Sequence, residues 1–158
     1  MSDYVAVMND GRVVQEGEVH EVFRNPRDKF TANFVGIRNF FKAKISAGDE
    51  QMHKLAKINE QVSLNITGDV PSGEDRIVTI DGRNIIISID QVESTALNNF
   101  QGTINEVIPI SDGLEIIVDV GIELAVIITE SSFNRLSVEK GKKVWVSFKA
   151  SSVRIQNY

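Results

Sequence analysis

Several common chemistries are excluded by residues that this sequence lacks. It contains no cysteine, which excludes disulfide bonds, thiolate metal sites and cysteine nucleophiles. Its two histidines, His20 and His53, are far apart and have no ligand-like spacing around them, so we predict neither a metal site nor a catalytic residue. No apolar run approaches the roughly 18 residues that a membrane-spanning helix needs, and the first residues do not have the pattern of a signal peptide. We expect a soluble, intracellular protein.

Positive charge and aromatic residues are also scarce. Lysine and arginine number 17 against 22 aspartates and glutamates, and the net charge of −5 argues against binding nucleic acid or an anionic membrane by bulk charge. An OB fold that binds single strands needs stacking aromatics, and only 7% of the residues are aromatic. We therefore predict no nucleic-acid partner, and any anion-binding site must be built from a few local residues.

Residues 1–36 have a pattern of their own. The apolar run Tyr4–Met8, a turn signal and a second apolar run predict a β-hairpin. The spacing that follows predicts two short helices, one over Glu18–Arg24 and one that is capped by Asp28 and ends at Gly36. Neither helix buries its apolar face alone, so this segment is predicted to be part of a larger unit.

The remainder of the chain contains an internal repeat with the periodicity of β-strands. At an offset of 59 residues Asn39 matches Asn98, and without a gap Gly82–Ile89 matches Gly141–Phe148. Between these ends the copies diverge, because the first has a polar stretch over residues 46–61 where no strand is predicted. About five short strands and one short helix per copy fit an OB-like barrel of roughly 60 residues.

The N-terminal segment resembles the end of a known ATPase domain. The order of its hairpin, Glu21–Phe23, Asn25-Pro26 and Phe34–Gly36 is similar to the last stretch of the ATPase of importer-type ABC transporters. The phosphate-binding G-x-x-x-x-G-K-[ST] loop and the Ser-Gly-Gly-Gln signature of that family are absent. We therefore expect no enzyme activity and no cofactor in this chain, and the resemblance places ATP and Mg²⁺ in another domain of a longer parent protein.

The second copy resembles an oxyanion-binding domain. From Asn98 to the run Phe148–Val153 it is similar to a molbindin domain, the OB unit that also forms the transport-associated tail of molybdate and tungstate importer ATPases. The resemblance implies a mainly β chain of tandem OB-fold-like, molbindin-like barrels preceded by a short α/β remnant of an ABC ATPase domain. The predicted boundaries are residues 1–36 for the remnant, 37–93 for the first repeat and 94–158 for the second.

In that family the pocket uses an arginine and small hydroxyl residues before the first strand, and a Lys-Ala-Ser sequence at the end of the copy. The first copy has the arginine, Arg38, but Asp90 stands at the position that we match to the lysine. The second copy has Lys149 but places Leu97 at the arginine position, with Thr95 as the nearby hydroxyl. Neither copy holds both cations.

A pocket shared between the copies would bring the two cations together. The oxyanion ligands predicted on this basis are Arg38, Thr95, Lys149, Ala150 and Ser151. Molybdate and tungstate are doubly charged tetrahedra, so two cations and several N–H and O–H donors suit them. The other pseudo-symmetric position would pair Leu97 with Asp90, and we predict that it binds no anion.

Two functions stay open at this point. The leading hypothesis is a regulatory and dimerisation module of a molybdate or tungstate ABC importer ATPase, which binds the oxyanion between its repeats and modulates transport. It implies a homodimer, contact of the parent with transmembrane permease subunits, and a cytoplasmic, peripheral position on the inner face of the membrane. The alternative is a ligand-free scaffold tail from an importer of another solute, such as a sugar, sulfate, iron or a polyamine.

Overall fold

The N-terminal segment folds as a hairpin followed by two short helices in the computed structural model, which describes residues 3–48 and 53–157. The elements are β1 (Tyr4–Asn9), β2 (Arg12–Glu18), α1 (Val19–Arg24) and α2 (Lys29–Phe34). Asp10 and Gly11 form the hairpin turn with positive φ angles, as a tight turn requires. Asp28 caps α2 by accepting a hydrogen bond from the Thr31 N–H at 2.7 Å. Local turn and cap residues thus produced the elements that the sequence predicted.

The rest of the described chain is mainly β. Its strands are β3 (Asn39–Ala47), β4 (Lys54–Lys57), β5 (Ser63–Ile66), β6 (Asp75–Ile80), β7 (Ile86–Ser88), β8 (Asn98–Ile110), β9 (Gly113–Asp119), β10 (Glu123–Ile128), β11 (Lys143–Phe148) and β12 (Arg154–Asn157). A helix, α3 (Glu130–Leu136), precedes β11, and a first and a second 3₁₀ turn lie at Gly82–Asn84 and Ala150–Ser152. The predicted mainly β fold is confirmed.

The strands form two five-stranded antiparallel sheets that exchange their last strands. The first sheet has the order β12-β6-β3-β4-β5, and the second has the order β10-β9-β8-β11-β7. Strand β7 is the last strand of the first repeat but pairs with β11 of the second sheet, where Ile87 lies opposite Val146. Strand β12 ends the chain and pairs with β6 of the first sheet, where Ile155 lies opposite Val78. Each repeat therefore completes the sheet of the other.

The sheet orders correct part of the predicted repeat. Strands β3, β4, β5, β6 and β7 occupy the positions of β8, β9, β10, β11 and β12. The first 3₁₀ turn therefore corresponds to the second, and Gly82 corresponds to Ala150 at an offset of 68 residues. The match of Gly82–Ile89 with Gly141–Phe148 is wrong, because β7 and β11 are neighbours in one sheet and not equivalents. The helix α3, which the first repeat lacks, is where the offset changes.

One strand was missed in the polar stretch of the first repeat. Strand β4 pairs with both β3 and β5, although Leu55 and Ala56 are its only apolar residues. Residues 49–52 of the same stretch lie outside the described residues. Ala56 is fully buried, and pairing with a strand on each side holds β4 in the sheet although its lysines reach solvent.

The two sheets share one continuous hydrophobic core. Ile45 and Leu64 from the first sheet and Ile116 and Leu124 from the second belong to a single cluster of buried side chains, each at most 1% exposed. This shared core makes the two repeats one folding unit, and a second, small cluster packs Ala32 of α2 against Phe40 and Ile77 of the first sheet. The described helices have six or seven residues, and none of them is long and apolar enough to cross a membrane.

Candidate functional site

A cavity of about 180 Å³ lies where the N-terminal segment and both repeats meet. Its lining residues are Val35, Gly36, Ile37, Arg38, Thr79, Ile80, Asp81, Gly82, Arg83, Glu115, Ala125, Ile127 and Arg154. They come from the end of the N-terminal segment, from β6 and the first 3₁₀ turn, and from β9, β10 and the exchanged strand β12. We call this space the arginine cavity. All three parts of the chain therefore line this one space.

Three arginines and two carboxylates give the arginine cavity its charge. Arg38 Nε lies 3.6 Å from Oε1 of Glu115, whose side chain is only 6% exposed. Arg83 Nη1 lies 3.5 Å from Oδ2 of Asp81 in a more exposed pair. No ion pair within the described residues includes Arg154. The lining therefore has one more positive than negative charge, in a chain whose net charge is −5.

The buried carboxylate of Glu115 opposes the binding of an anion at Arg38. Glu115 lies within β9 with its side chain withdrawn from solvent, and its described ion-pair partner is Arg38. A new anion that approaches Arg38 also approaches this carboxylate and is repelled by it. Arg154 lies on β12 of the first sheet, and no described ion pair joins it to a carboxylate. It is therefore the cation best placed to accept an anion.

The predicted Lys-Ala-Ser sequence lies at the equivalent position of the second sheet. Phe148 pairs with Asn98, so Lys149 comes directly after the strand end and lies beside Leu97. Lys149 and Ser151 are exposed and Ala150 is buried in the second 3₁₀ turn, which packs near β5. Thr95 is exposed in the segment before β8. We call Thr95, Leu97 and Lys149–Ser151 the lysine turn.

The structure divides the five predicted ligands between these two places. Asn39 pairs with Ile80, so Arg38 lies beside Asp81 in the arginine cavity. The other four predicted ligands belong to the lysine turn, and within the described residues no hydrogen bond or ion pair joins Arg38 to Lys149. The reason is strand pairing within each repeat. Strand β3 pairs with β6, so Arg38 faces the first 3₁₀ turn, and β8 pairs with β11, so Leu97 faces the second.

The prediction that Asp90 takes the place of the lysine is wrong. The residue equivalent to Lys149 is Asp81, since both directly precede the matching 3₁₀ turns. Asp90 instead follows β7, where its carbonyl oxygen accepts a hydrogen bond from the Ser88 hydroxyl at 2.7 Å. The predicted pairing of Leu97 with Asp90 is accordingly replaced by Leu97 with Lys149.

Sequence reasoning missed three residues of the arginine cavity. Arg83 occupies the place of Ser151 in the corrected repeat, and Arg154 occupies the place of Ile86. A correct alignment of the two 3₁₀ turns would have found both. Glu115 had no signal, because a glutamate in an alternating strand is normally exposed. Within the described ranges, no group of three or more His, Asp and Glu side chains has a geometry that could hold a metal ion.

Comparison with known families and structures supports the resemblance that the sequence indicated. Residues 94–155 match the family model described as the TOBE domain. The chain carries a TOBE domain. Around it, the chain is similar to the molybdate/tungstate import ATP-binding protein WtpC of Pyrococcus abyssi, with 31% identity over 156 residues that cover 98% of this chain and 43% of that protein. The resemblance to the tail of importer ATPases is thereby confirmed.

Relatives of the TOBE-containing chain are not limited to one solute. The spermidine/putrescine import ATP-binding protein PotA of Roseobacter denitrificans is 30% identical over 162 residues, covering 98% of this chain and 43% of that protein. The chain thus spans less than half the length of these relatives. Both relatives are import ATP-binding proteins by name.

A solved structure confirms the fold. The cytoplasmic molybdate-binding protein ModG, in a form with molybdate bound, superimposes with a TM-score of 0.68 over 78% of this chain and 98% of that chain. The sequence identity is 16%, so the likeness concerns the fold. The predicted OB-type, molbindin-like architecture of the TOBE-containing chain is therefore confirmed.

Proposed function

We propose that this chain is the regulatory part of a molybdate or tungstate importer ATPase and that it binds the tetrahedral oxyanion in the arginine cavity. The observation that carries the proposal is the convergence of Arg38, Arg83 and Arg154, from three separate segments, on one cavity in an acidic chain. The similarity to WtpC over 98% of the chain supports the choice of anion.

The chemistry of the cavity suits a dianion of this size. Guanidinium groups donate charge-assisted hydrogen bonds to oxyanion oxygens, each worth about 1.5 to 3 kcal/mol before desolvation is subtracted. Arg154 supplies the first contact with the anion. Arg38, 3.6 Å from Glu115, and Arg83, 3.5 Å from Asp81, then replace these contacts with shorter ones to the ligand. Because the lining comes from all three parts of the chain, the bound anion favours the arrangement in which all three contribute.

The lysine turn is a second, weaker position for the same anion. Lys149 provides one ammonium group, and Ser151, Thr95 and the backbone near Ala150 provide further polar groups. Leu97 stands where Arg38 stands in the other repeat, so the second cation is absent here. We propose that the chain binds one oxyanion tightly in the arginine cavity and a second one only weakly at the lysine turn.

The parent protein supplies the remaining parts of the function. In our proposal the longer protein holds ATP and Mg²⁺, contacts the permease at the cytoplasmic face of the membrane and forms a homodimer, while this chain has no ATPase activity of its own. Oxyanion binding biases the parent toward one conformation and so modulates transport, because a ligand shifts an equilibrium by its difference in affinity for the two states.

A ligand-free scaffold is the second candidate function. Asp81 and Glu115 in the cavity lining oppose an anion, and relatives of this chain include spermidine/putrescine import ATP-binding proteins. Titration calorimetry with molybdate, tungstate, sulfate and spermidine separates the two functions. We expect heat with molybdate or tungstate and a weaker response with sulfate; no heat with any of the oxyanions contradicts the regulatory proposal and leaves the scaffold.

A further inference from the structure

Strand β12 connects the arginine cavity to the N-terminal segment. Arg154, its first residue, lines the cavity, and Gln156, two residues later, donates a hydrogen bond from Nε2 to the Pro26 carbonyl oxygen at 2.9 Å. Side chains two residues apart along a strand point to the same side. Ile155, between them, packs against the shared core. One face of this short strand thus touches both the proposed ligand site and the N-terminal segment.

The turn at residues 25–27, which accepts the hydrogen bond from Gln156, is also hydrogen-bonded to β2. Gln15 of β2 is 6% exposed and donates to the Asn25 carbonyl oxygen at 3.0 Å, while its side-chain oxygen accepts from the Arg27 N–H at 2.9 Å. Pro26 lies between these two bonds and accepts the bond from Gln156. Hydrogen bonds thus connect Gln156 to the turn between α1 and α2 and, through Gln15, to the hairpin.

The junction around this contact is otherwise open. A cavity of about 460 Å³ separates β12 from the turn, with Gln15, Glu21, residues 25–27 and residues 155–157 in its lining. Among the described hydrogen bonds, that of Gln156 is the one that joins β12 to residues 3–36. The contact is thus the one described hydrogen bond from β12 to this segment, separate from the buried packing of Ala32 against Phe40 and Ile77 of the same sheet.

Strand β12 is a short edge strand. It has four residues and lies at the edge of the first sheet, where β6 is its one strand neighbour. Edge strands with few hydrogen bonds are among the elements that open at low cost in free energy. Arg154 pairs with Thr79 of β6, and Gln156 pairs with Ile77. A ligand that holds Arg154 in place therefore also holds the pairing of Gln156 with β6.

We propose that Gln156 is a positioning residue through which an oxyanion in the arginine cavity orders the turn at residues 25–27. The inference rests on the proposed function, because it requires the anion to bind at Arg154. It adds a route from the ligand to the segment that resembles the end of the ATPase domain. Binding at Arg154 holds β12 in register, Gln156 keeps its bond to Pro26, and the turn and hairpin exchange less freely with the solvent.

Hydrogen–deuterium exchange of the whole chain, with and without saturating molybdate, tests this route. We expect molybdate to slow exchange in residues 12–27 by about threefold or more, as ordering of a tethered segment requires. In Gln156→Met, which keeps the side-chain size but lacks the donor, molybdate should still bind and leave exchange in residues 12–27 unchanged. Asn157→Ser, on the same strand, should behave like the unmodified chain. Gln156→Asn has a side chain one methylene shorter and should behave like Gln156→Met. It replaces Gln156→Met in the experiment if Gln156→Met does not fold.

Affinity gives a second readout that a merely structural role of Gln156 would not change. Coupling between two sites is reciprocal, so loss of the Gln156 hydrogen bond should weaken molybdate binding by about threefold to tenfold. Binding by the unmodified chain with no slowing in residues 12–27, or equal slowing in Gln156→Met, overturns this inference and leaves the proposed function intact. Absence of molybdate binding by the unmodified chain overturns both.

Discussion

Asn39 and Asn98 are equivalent residues that make the same pair of hydrogen bonds, each to the repeat to which it does not belong. Asn39 Oδ1 accepts from the Ala125 N–H at 2.7 Å, and its Nδ2 donates to the Ala125 carbonyl oxygen at 2.8 Å. Asn98 Oδ1 accepts from the Asn65 N–H at 2.7 Å, and its Nδ2 donates to the Asn65 carbonyl oxygen at 3.0 Å. Both side chains are 1% exposed. Each asparagine thus holds an edge strand of the opposite sheet.

These two asparagines should contribute unequally to stability. We expect Asn39→Ala to lower the free energy of unfolding by about 2 to 3 kcal/mol, because Ala125 is 5% exposed and its polar groups lose their partner in a dry site. Asn98→Ala should cost about 1 kcal/mol, since Asn65 is partly exposed and water can replace the amide. Urea unfolding measures both, with Asn134→Ala on α3 as a surface control. Equal losses of unfolding free energy in Asn39→Ala and Asn98→Ala would contradict this account.

Removing the buried carboxylate should strengthen oxyanion binding. Glu115 competes with the ligand for Arg38, and like charges about 4 Å apart repel by roughly 4 kcal/mol at an effective dielectric of about 20. Arg38 is more than half exposed, which screens this repulsion, so we expect Glu115→Gln to tighten molybdate binding by about tenfold. Glu130→Gln, on the surface helix α3, is the matched control. Unchanged or weaker binding in Glu115→Gln would place the anion elsewhere.

The corrected repeat equivalence can be tested by charge reversal. Asp81 occupies the position of Lys149, so Asp81→Lys should place an ammonium group beside Arg38 and raise the affinity for molybdate by at least tenfold. Asp90→Lys adds the same charge at the position that the gap-free repeat indicated, and we expect it to change the affinity less than twofold. A larger effect from Asp90→Lys than from Asp81→Lys would restore the original alignment.

A second cation should convert the lysine turn into a full site. Leu97 is 46% exposed beside Lys149, and it stands where the other repeat has Arg38. We expect Leu97→Arg to raise the number of tightly bound molybdate ions per chain from one to two in calorimetry. Val92→Arg, at another exposed apolar position, should leave the number at one. An unchanged stoichiometry in Leu97→Arg would show that the lysine turn is not a binding position.

Local chemistry explains which parts of the fold were predictable. The hairpin and the capped helix α2 depend on neighbours such as Gly11 and Asp28, which the sequence shows directly. The equivalence of Asn39 and Asn98 was also visible, because identical residues open both copies. Strand β4 was not predictable, since the sequence Lys-Leu-Ala-Lys shows no alternation of apolar and polar residues.

The strand exchange explains why the candidate site was only partly predictable. Strands β7 and β11 are both apolar runs that follow a glycine-containing turn, so a gap-free match between them looked like a repeat. Their pairing in one sheet depends on contacts between residues far apart in sequence, such as Ile87 with Val146. Arg154 reaches the arginine cavity only because β12 crosses to the first sheet. Sequence patterning along one strand does not contain that information.

The central claim is that the oxyanion binds in the arginine cavity, and Arg154 tests it most directly. Titration calorimetry should compare the unmodified chain with Arg154→Ala, Lys149→Ala and the surface control Arg135→Ala under one set of conditions. We expect Arg154→Ala to weaken molybdate binding by at least tenfold, about 1.4 kcal/mol, while the other two variants retain it within twofold to threefold. Full affinity in Arg154→Ala, or its loss in Lys149→Ala, would contradict the claim.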